Sequence, residues 1–102
     1  MTRMRFVHGT EGSLTVEGHA GFDVRGRDIV CAAVSTLCNG LIATLRVLAW
    51  HGHCKGIEEA REDGVLRVSY REGDEAARDA LALYEELARS YAREYPEHLI
   101  VE

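Results

Sequence analysis

Proline occurs once and tryptophan once in these 102 residues, and ten glycines are spread along the chain. That balance argues against a disordered or fibrous polypeptide. No uninterrupted apolar run reaches the roughly 20 residues that a membrane span requires. The opening Met1-Thr2-Arg3-Met4-Arg5-Phe6 has charge but no apolar stretch behind it, so no signal peptide and a cytoplasmic address are expected. Basic residues are few and scattered: twelve Lys and Arg, eleven of them Arg, against seventeen Asp and Glu. The formal net charge of −5 and the lack of a basic cluster speak against binding nucleic acid through its phosphates. A basic protein partner would suit such a chain. Three cysteines are an odd number, and a disulfide framework wants pairs. Cys31 and Cys38, if both helical, stand about 10.5 Å apart along the axis, too far to bridge. The thiols are expected to be reduced.

What is present fits one compact domain over residues 1–102. Met4–Val7 is short and β-compatible, Gly9–Gly12 reads as a turn, and Leu14 and Val16 alternate with Thr15 and Glu17 as a half-buried strand does. Gly18–Arg27 is a polar loop with three glycines, expected to be mobile. Between Ile29 and Trp50 the only charge is Arg46, and apolar positions run right round the helical wheel. That pattern predicts a buried central helix. Ser35, Thr36, Asn39, Gly40, Thr44 and Arg46 interrupt it too often for a membrane span. Ile57–Arg61 and Val65–Tyr70 flank Glu62-Asp63-Gly64, a hairpin signal. Asp74 caps a second helix, amphipathic to Tyr95, and Leu99–Val101 makes a last strand. The expected class is α+β, order ββαββαβ, with a small, mostly antiparallel sheet.

Chemistry concentrates where the second strand gives way to the first helix. His19 ends a strand, Cys31 sits in the first turn of a helix, and a glycine-bearing loop joins them. A helix start offers amides without intrahelical acceptors and a partial positive charge. Both favour a thiolate. An imidazole nearby would take the thiol proton and later return it to a leaving group. The same amides could hold an oxyanion. Asp28 has two readings: N-cap of the helix through the amides of Val30 or Cys31, or orienter of the His19 imidazolium. Ser35, one turn beyond Cys31, could donate to the thiolate or bond back to the Cys31 carbonyl.

Gly18-His19-Ala20 and the run Asp28-Ile29-Val30-Cys31-Ala32-Ala33-Val34-Ser35, with Gly26 between them, strongly resemble the ribosomal-processing cysteine protease (Prp) family. The diagnostic part covers some 18 residues, and chain length and element order extend the likeness loosely over the rest. The resemblance implies Cys31 as nucleophile and His19 as its partner. Gly18, Asp28 and Ser35 are supporting positions of the pattern, and Gly21, Phe22 and Gly26 belong to the substrate loop, Gly18–Arg27, which is expected to order over a bound peptide. The usual tyrosine after Gly-His-Ala-Gly is Phe22 here, which keeps the ring and loses the hydroxyl. Also implied are a homodimer and a substrate, the N-terminal extension of a large-subunit ribosomal protein. No metal or organic cofactor is needed for such a reaction.

The other constellation, His51-Gly52-His53-Cys54, could in principle ligate zinc. It lacks the second ligand pair that zinc sites draw on and reads as a helix-exit loop. Trp50, Tyr84, Tyr91 and Tyr95 read as core or dimer-contact aromatics. The competing accounts of Cys31 are a non-catalytic ribosome-associated interaction module, in which it merely packs, and a redox sensor, for which no resolving cysteine lies nearby.

Overall fold

The computed structural model of the protein describes residues 1–19, 21 and 28–102. β1 (Thr2–Val7) and β2 (Gly12–Glu17) form the first hairpin, followed by α1 (Ile29–Trp50). β3 (Cys54–Lys55), β4 (Glu58–Glu62), β5 (Val65–Tyr70) and β6 (Glu72–Gly73) come next, then α2 (Glu75–Glu94) and β7 (Leu99–Val101). Setting aside the two-residue β3 and β6, which pair with each other, the order is ββαββαβ as expected. The main sheet runs β4-β5-β2-β1-β7. Every pairing in it is antiparallel except β1 with β7.

Period-two burial decides which face of the sheet meets the helices. Met4 and Phe6 of β1, Leu14 and Val16 of β2, and Val68 and Tyr70 of β5 are buried. Arg3, Arg5, Glu17 and Arg67 occupy the other face, exposed. The helices add Val30, Val34, Cys38, Leu41, Ile42 and Leu45 from α1, and Ala77, Leu81 and Ala88 from α2. Where the two helices meet, Tyr84 lies over Gly40: a Cβ there would stand 2.8 Å from the tyrosine hydroxyl. That hydroxyl is also 3.1 Å from Thr44 Oγ1.

One expectation changes. α1 is long and apolar enough to cross a membrane by composition, and it is not buried all round. It buries one stripe, while Ile29, Val47 and Trp50 are exposed, Trp50 to 87%. Trp50 therefore contributes nothing to the core of the protomer. Tyr84, Tyr91 and Tyr95 are half-buried against the core.

Candidate active site

Three elements converge on one cleft of about 310 Å³. β2 brings Val16, and Gly18 and His19 follow past its end at Glu17, so His19 lies beyond the strand it was expected to end; α1 brings Cys31, Val34, Ser35 and Cys38; the β4–β5 hairpin brings Arg61, Glu62, Gly64, Val65 and Leu66. The α1 residues are spaced three and four apart, so a single helical face forms that wall. His19 and Cys31, twelve positions apart in sequence, thus line the same space.

Local backbone chemistry fixes each contributor. Gly18 has φ +82°, a conformation that L side chains rarely adopt, and a Cβ there would run into the Met1 carbonyl oxygen. Its amide donates to the Gly64 carbonyl at 2.9 Å, extending the β2–β5 ladder past Glu17 and setting His19 beside the hairpin turn. Gly21 also has positive φ (+71°), with open space around it. Ala20, Phe22 and Gly26 lie outside the described residues, as does most of the loop expected to close over a peptide.

Asp28 takes the capping role. With extended backbone, its Oδ1 accepts the amides of Val30 and Cys31, each at 2.9 Å, and its carbonyl accepts the Ala32 amide. This corrects the expectation that helix-start amides stand ready for an oxyanion: those of Val30, Cys31 and Ala32 are committed to Asp28. The capped first turn, with Cys31 in it, faces the cleft.

The three cysteines separate by environment. Cys31 is half-buried, whereas Cys38 and Cys54 are buried. Burial pushes the Cys38 thiol up to about 11, against the lowering influence of Arg61. Burial, with Asp74 adding to it, also raises the Cys54 thiol, whose Sγ donates to the Leu45 carbonyl. Ser35 is exposed on the cleft wall.

Sequence reasoning missed the far wall. Arg61 donates to Asn39 Oδ1 of α1 at 3.0 Å and to Glu59 at 2.8 Å, and Glu59 also accepts from Arg46. These contacts hold β4 against α1. The Asp-Gly signal located the hairpin, but no spacing in the sequence says that a strand ending at Glu62 returns to a helix that began at Ile29. His51–Cys54 leads out of α1 into β3, and His53 Nδ1 meets Asp74 Oδ2 at 2.8 Å. Among the described residues no group of three metal-ligating side chains is gathered.

Comparison with known proteins bears on the fold and the family. The chain superposes over its whole length on the essential ribosomal processing protease Prp of S. aureus. For the complex with a covalently linked product peptide the TM-score is 0.79 at 18% identity, covering 98% of that chain. For the complex with a substrate peptide it is 0.73 at 17% identity, again over all of this chain and 98% of the other. SMU.848 from Streptococcus mutans is 28% identical, with a TM-score of 0.74 over all of this chain and 92% of that one. No curated relative matches the sequence. The family model for cysteine protease Prp matches residues 1–99. A match over nearly the whole chain shows the family: the protein belongs to the Prp cysteine proteases and is a cysteine peptidase.

Proposed function

We propose that the protein cleaves the N-terminal extension from a large-subunit ribosomal protein, with Cys31 as nucleophile and His19 as general base and then acid. The observation that carries the reading is the presence of both side chains on one cleft, in a chain of this family. His19 takes the proton of the Cys31 thiol, and the thiolate attacks the scissile carbonyl carbon. As the tetrahedral intermediate collapses, the imidazolium passes that proton to the departing amine and leaves an acyl-thioester on Cys31. Water, deprotonated by His19, then hydrolyses the thioester and restores the thiol. Asp28 fixes where α1 begins, and so where Cys31 stands in its first turn. Gly18 sets the backbone before His19, and Ser35 supports the cleft wall; Gly21, Phe22 and Gly26 belong to the substrate loop in this reading.

The protein works as a cytoplasmic homodimer in this reading. The exposed apolar side chains of α1, with Trp50 foremost, support a second copy as the cover for that face. A net charge of −5 suits a basic ribosomal protein as substrate.

Incubation with a synthetic peptide spanning the processing junction tests the assignment, read by mass spectrometry. Wild-type protein should cut once within the peptide, Cys31→Ala should leave it whole, and His19→Ala should be slower by about 10²–10⁴-fold. An uncut peptide in the presence of folded wild type would remove this substrate. Equal rates for wild type and His19→Ala would remove the histidine role.

A further inference from the structure

β4 is the outer strand of the main sheet, paired with β5 on one side only, and all five of its residues are exposed. Such a strand presents unpaired N–H and C=O groups along its free edge. Its two faces differ. Glu59 and Arg61 are drawn to α1 through Arg46 and Asn39, so the pleat puts Glu58, Ala60 and Glu62 on the opposite face. Glu58 and Glu62 enter no ion pair among the described residues, unlike Glu59 between them. Like charges on an edge keep copies of the chain from zippering together, but they attract a segment of opposite sign.

The strand also leads into the catalytic cleft. Its last two residues, Arg61 on the α1 face and Glu62 on the other, both border the cleft that Cys31 lines. Asn39 holds Arg61, while Arg46, further along α1, holds Glu59. The helix and the strand therefore run in opposite directions, and β4 ends at the Cys31 end of α1. A polypeptide lying along the free edge would pass directly into the cleft.

We propose that this edge of β4 binds the substrate chain as an added, extended strand, with Glu58 and Glu62 selecting basic side chains four residues apart on it. The inference rests on the peptidase reading for its occupant. Main-chain hydrogen bonds in this mode supply affinity for any extended segment, and side chains at alternate positions supply selectivity. Glu58 and Glu62 stand about 13 Å apart at the strand rise, and an added strand has the same rise. The matching basic residues are therefore also four apart.

Binding and cleavage are measured separately. Fluorescence anisotropy of a labelled junction peptide on Cys31→Ala protein reports affinity without turnover. Glu58→Lys and Glu62→Lys, each in that background, should weaken binding at least about fivefold. Glu in place of one basic peptide residue should restore affinity for one variant, and Glu four positions away for the other. N-methylation along the peptide should weaken binding at every second amide only. Glu58 stands outside the cleft, so its reversal tests the strand and not the catalytic centre. Iodoacetamide labelling of Cys31 in an otherwise wild-type Glu58→Lys protein should proceed at the wild-type rate. No binding by any peptide, indifference to both charge reversals, or N-methyl effects without alternation would overturn the proposal. Binding with the expected pattern but no cut by wild type would instead overturn the substrate assignment and leave the edge as a docking strand. Cleavage that ignores both reversals would remove the edge strand alone.

Discussion

Asp28 Oδ1 accepts the backbone amide of Cys31 at 2.9 Å, so the residue that starts α1 and the residue that carries the thiol are one hydrogen-bonded unit. The helix begins where Asp28 says it begins, and the thiol sits in its first turn for that reason. The same carboxylate occupies an amide that a reacting carbonyl would otherwise meet.

Replacing Asp28 separates its cap from its charge. Asp28→Ala should lower stability by about 1 kcal/mol, the usual cost of losing a cap, and slow peptide cleavage by at least about tenfold through displacement of the first turn. Asp28→Asn keeps an acceptor for the amides and should regain most of the stability. Chemical denaturation and kcat/KM on the three proteins check this. Equal stability for the Ala and Asn variants would contradict the capping account.

Thiol labelling should follow burial. In native protein at pH 7.5, iodoacetamide should modify Cys31 well before Cys38 or Cys54, and unfolding should make all three reactive. Cys38 is 1% exposed with its thiol pushed up to about 11 by burial, and Cys54 is 7% exposed. Peptide mass mapping over a time course reads the order. Early modification of Cys38 would mean that the wall of α1 opens in solution.

Gly18→Ala adds a side chain at φ +82°, pointed at the Met1 carbonyl. The backbone cost alone is about 1–2 kcal/mol, and the collision adds to it by shifting the residue that precedes His19. A thermal shift of several degrees downward is expected, with kcat/KM reduced more than the stability loss explains. A variant as stable and active as wild type would show that this turn tolerates rearrangement. Gly21→Ala meets open space, so only the backbone term applies there.

Acid should loosen the junction between α1 and α2. The hydrogen bond from His53, aided by the amides of Ala77 and Ala76, holds the Asp74 carboxyl below its ordinary value despite some desolvation. A folded-state value below the unfolded one means a contribution present above the ordinary carboxylate range and lost as pH falls through the folded value. Stability of wild type should therefore fall more steeply below about pH 4 than that of Asp74→Asn, which keeps a cap that does not titrate. Denaturant midpoints from pH 6 to pH 2.5 read the slopes, and parallel curves would contradict the tie. Glu85 titrates in the same direction: its burial pushes the carboxyl up, but hydrogen bonds from His8 and Arg89 outweigh this and hold it low. Its contribution is common to both curves.

Much of the molecule was legible from its residues. α1, β5 and β7 fall at the expected positions, because Asp28 caps a long apolar stretch, an Asp-Gly turn precedes Val65, and Pro96 separates α2 from Leu99. Other limits moved by a residue or two, as β1 did in starting at Thr2, where pairing with Leu99 of β7 draws the extra residues into the ladder. The apolar circumference of α1 was misleading. Composition cannot distinguish a helix buried in its own protomer from one with a face left for something else.

The sequence by itself determined the candidate chemistry: a histidine after a glycine, an aspartate where a helix begins, and a cysteine in the first turn of that helix. These are local features, set by φ, by hydrogen bonds two or three residues long and by helix geometry, so neighbouring residues suffice to specify them. Only the tertiary structure decided what faces that cysteine. Arg61 and Glu62 reach the cleft because β4 pairs with β5, β5 with β2, and Asn39 and Arg46 tie the outer strand to α1. Each of those links joins residues distant in sequence, and closing them depends on burying one shared apolar face, which no short stretch of the chain encodes alone.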